Sequence, residues 1–144
     1  RPLPFQDGTV DFLFTNHTLE HLHPHSVYFF CEEVKRVLSP SGVARIQVPS
    51  VERVRKIAPN YPEYVTERGG LDIAIRNIIL SFGHITPFTE SLLESILINV
   101  GLEGTVIDNR ESTYPQFKNA IDFAFGKEEI IYDVETIAIE ARVV

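Results

Sequence analysis

The sequence has no methionine, no tryptophan and a single cysteine in 144 residues. One cysteine excludes an internal disulfide, and the lack of a disulfide framework fits a reducing compartment, so a cytoplasmic location is expected. Cys31 falls within an apolar helical pattern and reads as a buried, inert thiol rather than a nucleophile. Without methionine and with Arg1 first, the sequence is expected to be part of a longer translation product. No apolar run reaches the ~20 residues of a membrane-spanning helix, and no signal-peptide pattern is present. Basic residues are scarce: 13 Lys and Arg against 20 Asp and Glu leave a net charge of -7. Phosphate contacts need clustered Lys and Arg, so neither nucleic acid nor membrane is expected as a partner. The compact basic group Arg53, Arg55 and Lys56 reads as a solvated helix face.

What is present is an ordinary globular mix, 44% hydrophobic and 23% charged, enough for one core. Val10 to Thr15 reads as a short strand after the Asp7-Gly8 turn. Ser26 is a plausible N-cap for a helix whose buried stripe is Val27, Phe30, Cys31, Val34, Val37 and Leu38. Pro40, Ser41 and Gly42 are expected to stop it. Val43 to Val48 reads as a second strand, ended by Pro49. Strand, helix and strand with tight connections predict a βαβ unit with parallel strands and a right-handed crossover. Further on, Leu71, Ile75, Ile78, Ile79 and Phe82 fit one helix face. Thr89 fits an N-cap for a helix closed by Gly101 in a left-handed cap. Leu102 to Ile107 is a strand, and Thr136 to Val143 alternates cleanly as the last strand; if these two pair, the simplest arrangement is antiparallel. The segment between them is mixed. The expected fold is α/β, with a mostly parallel sheet and an antiparallel C-terminal strand. One domain is expected: a βαβ core over 1–50, a variable region over 51–86, and a helix with C-terminal strands over 87–144.

Four histidines, His17, His21, His23 and His25, crowd into one short polar segment with Glu20. His17 to His21 matches H-x-x-E-H, a zinc pattern that needs both histidines on one helical face and a third ligand from elsewhere. The segment directly follows a buried strand, and Pro24 leaves little room for a metal-bearing helix. Weak, adventitious binding by His21, His23 and His25 is the expected extent of metal binding, and no metal site is assigned. Glu20 reads as a helix-start carboxylate. The location carries more information: in open α/β sheets ligands bind outside the carboxyl ends of the strands. Asn16 and His17 are expected there, with Pro49 and Ser50 after the next strand.

Residues Leu3 to Ser50 resemble small class I S-adenosylmethionine-dependent methyltransferases of the type 11 kind. The matching letters are Leu3, Pro4, Phe5, Asp7 and Asp11; then His17, Leu19, Glu20, His21 and Leu22; then Glu33, Arg36, Val37, Leu38, Pro40 and Gly42. Ser41 stands where the family usually has glycine, and Val10 where it usually has phenylalanine. His84, Phe88-Thr89, Gly101, Glu111-Ser112 and Glu140 to Arg142 resemble later parts of the family. The resemblance implies a Rossmann-like sheet in which Val10 to Thr15 is the fourth strand. It implies that Asn16, His17 and Leu19 lie beside the methionine end of S-adenosylmethionine. His17 is then either a catalytic general base or a residue that orients the loop. The 51–86 region would shape the acceptor pocket, with Pro49, Tyr61, Tyr64 and His84 as substrate-side candidates; the methyl acceptor is not readable.

The glycine-rich turn of such a cofactor site and its ribose-binding acid do not occur before Val10. The expectation is therefore a partial, C-terminal portion of the fold that binds the cofactor weakly or not at all alone. Its first strand would present an open edge, and a homodimer or swapped oligomer is expected to cover it. Two other function classes stay open: a histidine-centred zinc protein or hydrolase, and a noncatalytic oligomeric module that keeps the fold.

Overall fold

In the computed structural model, which describes residues 1–125 and 129–144, four strands form one sheet. They are β1 (Val10–Asn16), β2 (Leu38–Pro49), β3 (Leu102–Ile107) and β4 (Thr136–Val143), in the order β1-β2-β4-β3. β1 and β2 are parallel, and β4 runs antiparallel to both β2 and β3. Three strands thus share one direction and the C-terminal strand opposes them, as the sequence predicts.

Between β1 and β2 lies α1 (Pro24–Val37). Its cap is His23 rather than Ser26, without a side-chain cap bond. Pro24 takes the first helical position, where its missing N–H and fixed φ cost nothing. The helix also ends earlier than the Pro40-Ser41-Gly42 stop. Leu38 is already extended at φ -63, ψ 133, because Pro40 disfavours helical backbone at Ser39. β2 accordingly starts at Leu38. Its pairing with β1 jumps from Val10↔Leu38 to Phe12↔Val43, so the intervening residues bulge out. Gly42 is required there: a Cβ would stand 2.7 Å from the Val10 carbonyl oxygen.

One sheet face carries the main core. Val27, Cys31 and Val34 of α1 and Leu93, Ile96 and Leu97 of α5 (Glu90–Asn99) pack on Ala44, Ile46 and Val48 of β2 and Ile137, Ile139 and Ala141 of β4. The α5 boundaries follow the sequence: Thr89 accepts from Leu92 N at 3.1 Å, and Gly101 has φ 80. The opposite face is partly apolar, through Val43, Phe117 and Ile121, the last from α6 (Lys118–Phe125). It also holds a buried polar network. Arg45, fully buried, donates to Glu140 Oε1 at 3.0 Å and to the carbonyls of Asn109 and Glu111 at 2.7 Å each. Gln47 Nε2 adds a bond to the Asn109 carbonyl at 3.0 Å.

The variable region builds its own small core. It comprises α2 (Val51–Ile57), α3 (Pro62–Glu67) and α4 (Leu71–Leu80), joined by α7 (Glu129–Glu135). Val54, Ala58, Tyr64, Ala74, Ile78 and Val134 are its buried members. Phe82, expected on the α4 face, lies beyond the helix end; it is exposed and has φ 60. Among the described residues no helix is long and apolar enough to cross a membrane.

Candidate functional site

The carboxyl ends of β1 and β2 meet the start of β4 at one end of the sheet. β1 ends at Asn16, half-buried, and His17 N donates to the Gln47 carbonyl at 2.9 Å. His17 itself has φ 47, a left-handed backbone at a non-glycine residue. Such strain persists where the surroundings fix it and clusters at functional sites. Here it turns the chain sharply off the strand. The His17 ring is held by Thr136, with Nε2 2.8 Å from its hydroxyl oxygen. Burial, with His84 and His21 nearby, lowers the His17 pKa to about 4. The ring is therefore neutral at neutral pH.

Leu19 to His21 form a single 3-10 turn, too short to place His17 and His21 on one helical face as the zinc pattern requires. Leu19 is fully buried in the main core, so its side chain supports the turn from beneath. Glu20 is 1% exposed, and neither carboxylate oxygen has a hydrogen-bond partner among the described residues. Its side chain does not cap the turn. Burial raises its pKa to about 7, against the opposing pull of nearby His21.

A second loop closes over this turn. Ile85 N and Thr86 N donate to the Glu20 carbonyl at 2.7 and 3.0 Å, and the Thr86 hydroxyl donates to the Leu22 carbonyl at 2.6 Å. These bonds bring His84 against His21, with ring centroids 4.9 Å apart. One ligand atom each from Glu20, His21 and His84 lie within 4.8 Å of one another. His23 and His25 stack on each other at 5.9 Å instead. The adventitious trio expected from the sequence is thus not the one the fold assembles.

Pro49 is buried at the end of β2 opposite Thr136, and Ser50 N donates to the Glu135 carbonyl at 2.7 Å. Tyr61 is half-buried against the second core. Tyr64 is inside that core, and its hydroxyl donates to Glu135 Oε1 at 2.7 Å. Burial pushes the Tyr64 hydroxyl above its ordinary range, and Glu135 lies above the usual carboxylate range for the same reason, although Tyr64 and Arg68 pull it back. The fold therefore brings Asn16, His17, Pro49 and His84 to one end of the sheet and commits Tyr64 to packing. Sequence reasoning missed the Glu20–His84 juxtaposition and the Glu135 network, because each joins residues distant in the chain with no spacing signal. A cavity of about 490 Å³ lies at the other end of the sheet, bordered by Lys35, Pro40 and Val143, away from these residues.

A profile of the methyltransferase domain family matches residues 1–46. A search of curated proteins finds no match. Among solved structures, an S-adenosylmethionine-dependent methyltransferase from Archaeoglobus fulgidus shares 15% identity at a TM-score of 0.53, covering 95% of this chain and 61% of that one. A putative methyltransferase from Haloferax volcanii, solved with a methyltransferase activator, shares 15% identity at a TM-score of 0.57, covering 98% and 57%. One from Aquifex aeolicus shares 18% at a TM-score of 0.51, covering 99% and 50%. The chain spans about half to three fifths of these proteins. Residues 1–46 thus match the methyltransferase domain family, and the chain shares the fold of these S-adenosylmethionine-dependent methyltransferases.

Proposed function

We propose that residues 1–144 form the acceptor-side portion of an S-adenosylmethionine-dependent methyltransferase, which transfers the cofactor's methyl group to an acceptor of undetermined chemistry. The observation that carries this reading is the strand end itself. Asn16 and His17 project from the carboxyl end of β1, at a strained turn, within the segment matching the methyltransferase domain family. Ligands in open α/β sheets sit at that edge.

The residues present fit one end of the cofactor. Asn16 and the turn at His17 border the position of its methionine end, while no glycine-rich turn for the nucleoside end occurs before β1. When bound, the cofactor supplies an electrophilic methyl group. The chain's own residues orient it and the acceptor. His17 acts by position: its Nε2 is engaged by Thr136, and a pKa of about 4 makes it a weak proton acceptor. Leu19 acts from the core, and Pro49 lies beneath the strand end. Tyr61 and His84 remain half-buried candidates on the acceptor side. A cytoplasmic location suits a chain whose single cysteine is a buried thiol with its pKa pushed up to about 12 by burial.

The test is calorimetric titration of S-adenosylmethionine into the protein carrying this chain, with Asn16→Ala as the variant. Loss of a polar contact at the methionine end is expected to weaken binding about tenfold. Equal affinity in the variant, with an unchanged thermal melt, would remove Asn16 from the site.

A further inference from the structure

We infer that Glu20, His21 and His84 form a binding site for a single divalent cation of the zinc type. The inference does not depend on the cofactor reading. Glu20 is the starting point. A carboxylate buried to 1% exposure, with neither oxygen hydrogen-bonded among the described residues, is costly without a counter-charge. Buried charges are held by pairing or by metals. The groups around it are histidines at unusual distances. His21 Nε2 lies 3.7 Å from Glu20 Oε1. That is too long for a hydrogen bond. It is close to the ~3.4 Å between two ligands each ~2.0–2.1 Å from one tetrahedral zinc.

The second observation is how the histidines are oriented. His21 Nδ1 faces the Gly83 carbonyl at 3.3 Å, and His84 Nδ1 faces the Ile78 carbonyl at 2.6 Å. A carbonyl only accepts, so Nδ1 is the donor in each pair, and in the neutral ring this leaves the lone pair on Nε2. This is the supporting arrangement that metal-bound histidines use to fix tautomer and direction. The third is preorganisation. The hydrogen bonds from Ile85 and Thr86 to the Glu20 and Leu22 carbonyls lock the two loops together independently of any ion. His17 borders the site, with Nδ1 also 3.7 Å from Oε1. Two imidazoles and one carboxylate suit zinc and its neighbours better than calcium or magnesium. Three protein ligands also leave a coordination position open to water, as in catalytic rather than closed structural sites.

The test uses zinc chloride alone. The protein is equilibrated with zinc, dialysed against metal-free buffer and assayed for metal per chain; cobalt(II) is then titrated into metal-free protein and followed by visible absorption. One retained zinc per chain is expected, with a four-coordinate cobalt spectrum that zinc abolishes. Glu20→Gln and His84→Ala are each expected to lower zinc affinity by at least the ~10–100-fold that loss of a supporting residue costs. His23→Ala with His25→Ala should leave it unchanged. No stoichiometric zinc, a weak six-coordinate cobalt spectrum, or loss of binding only in the His23/His25 variant would each overturn the assignment. The cobalt measurement uses the unmodified protein, so a variant that fails to fold does not decide the matter.

Discussion

The Arg36 guanidinium donates to the carbonyls of Leu3 and Phe5 and to Asp7, while Glu33 accepts from Leu3 N and pairs with Arg36. Two motifs separated by a strand and most of a helix are therefore one clamp. The Arg36 hydrogen bond, more than any other influence, holds the Glu33 carboxyl down to about 2, from 4.5. A carboxyl lowered on folding stabilises the fold above its unfolded pKa, and that contribution is lost as pH falls from about 4.5 towards 2. In urea melts, Glu33→Gln is expected to be less stable than the unmodified protein near neutral pH, and the difference should vanish at about pH 2. A difference that persists unchanged would remove the ionised clamp. Arg45 is a stronger case, because both it and Glu140 are buried. Arg45→Ala would strand the Glu140 charge and is expected to cost about 3–5 kcal/mol, read from the denaturation midpoint. Nothing in the spacing of Arg45 and Glu140 announces that pair. Strand alternation places both on one face, but only their register brings them together.

At the scale of elements, the local rules were legible where capping or periodicity is strong. Thr89, Gly101, β3 and β4 stand where the sequence places them. Thr89→Ala is expected to lower stability by about 1 kcal/mol through loss of the α5 cap, measurable as a shifted thermal midpoint. The α1–β2 junction was legible only in outline, since Pro40-Ser41-Gly42 reads as a helix stop but serves as a bulge within β2. Gly42→Ala tests that correction. A Cβ there meets main-chain atoms that cannot move aside, so a loss of about 1–3 kcal/mol is expected. Ser41→Gly, at an exposed position, should change little. The candidate site was half legible. The H-x-x-E-H letters include Glu20 and His21 of the proposed cation site, but the helical pairing they imply gives way to a 3-10 turn, and His84 approaches through loop hydrogen bonds that no periodicity records.

At the scale of the molecule, β1 is an edge of the described sheet, with Phe12 at 39% exposure beside it. An unpaired strand edge is a template for another strand. We propose that residues 1–144 alone pair into a homodimer or swapped oligomer there. Light scattering after size exclusion should show the oligomer at micromolar concentration, and Phe12→Lys should shift it towards monomer; a stable monomer in the unmodified chain would contradict this. The same edge frames the central claim, that the chain supplies the acceptor-side wall of a cofactor site whose nucleoside end it does not furnish. Calorimetry decides it most directly, with S-adenosylmethionine and its demethylated product titrated into residues 1–144 and into a longer protein that carries this chain behind a glycine-rich nucleoside-binding segment. Binding of both compounds by the longer protein, with weak or no binding by residues 1–144, is the expected result. No binding by the longer protein would contradict the account.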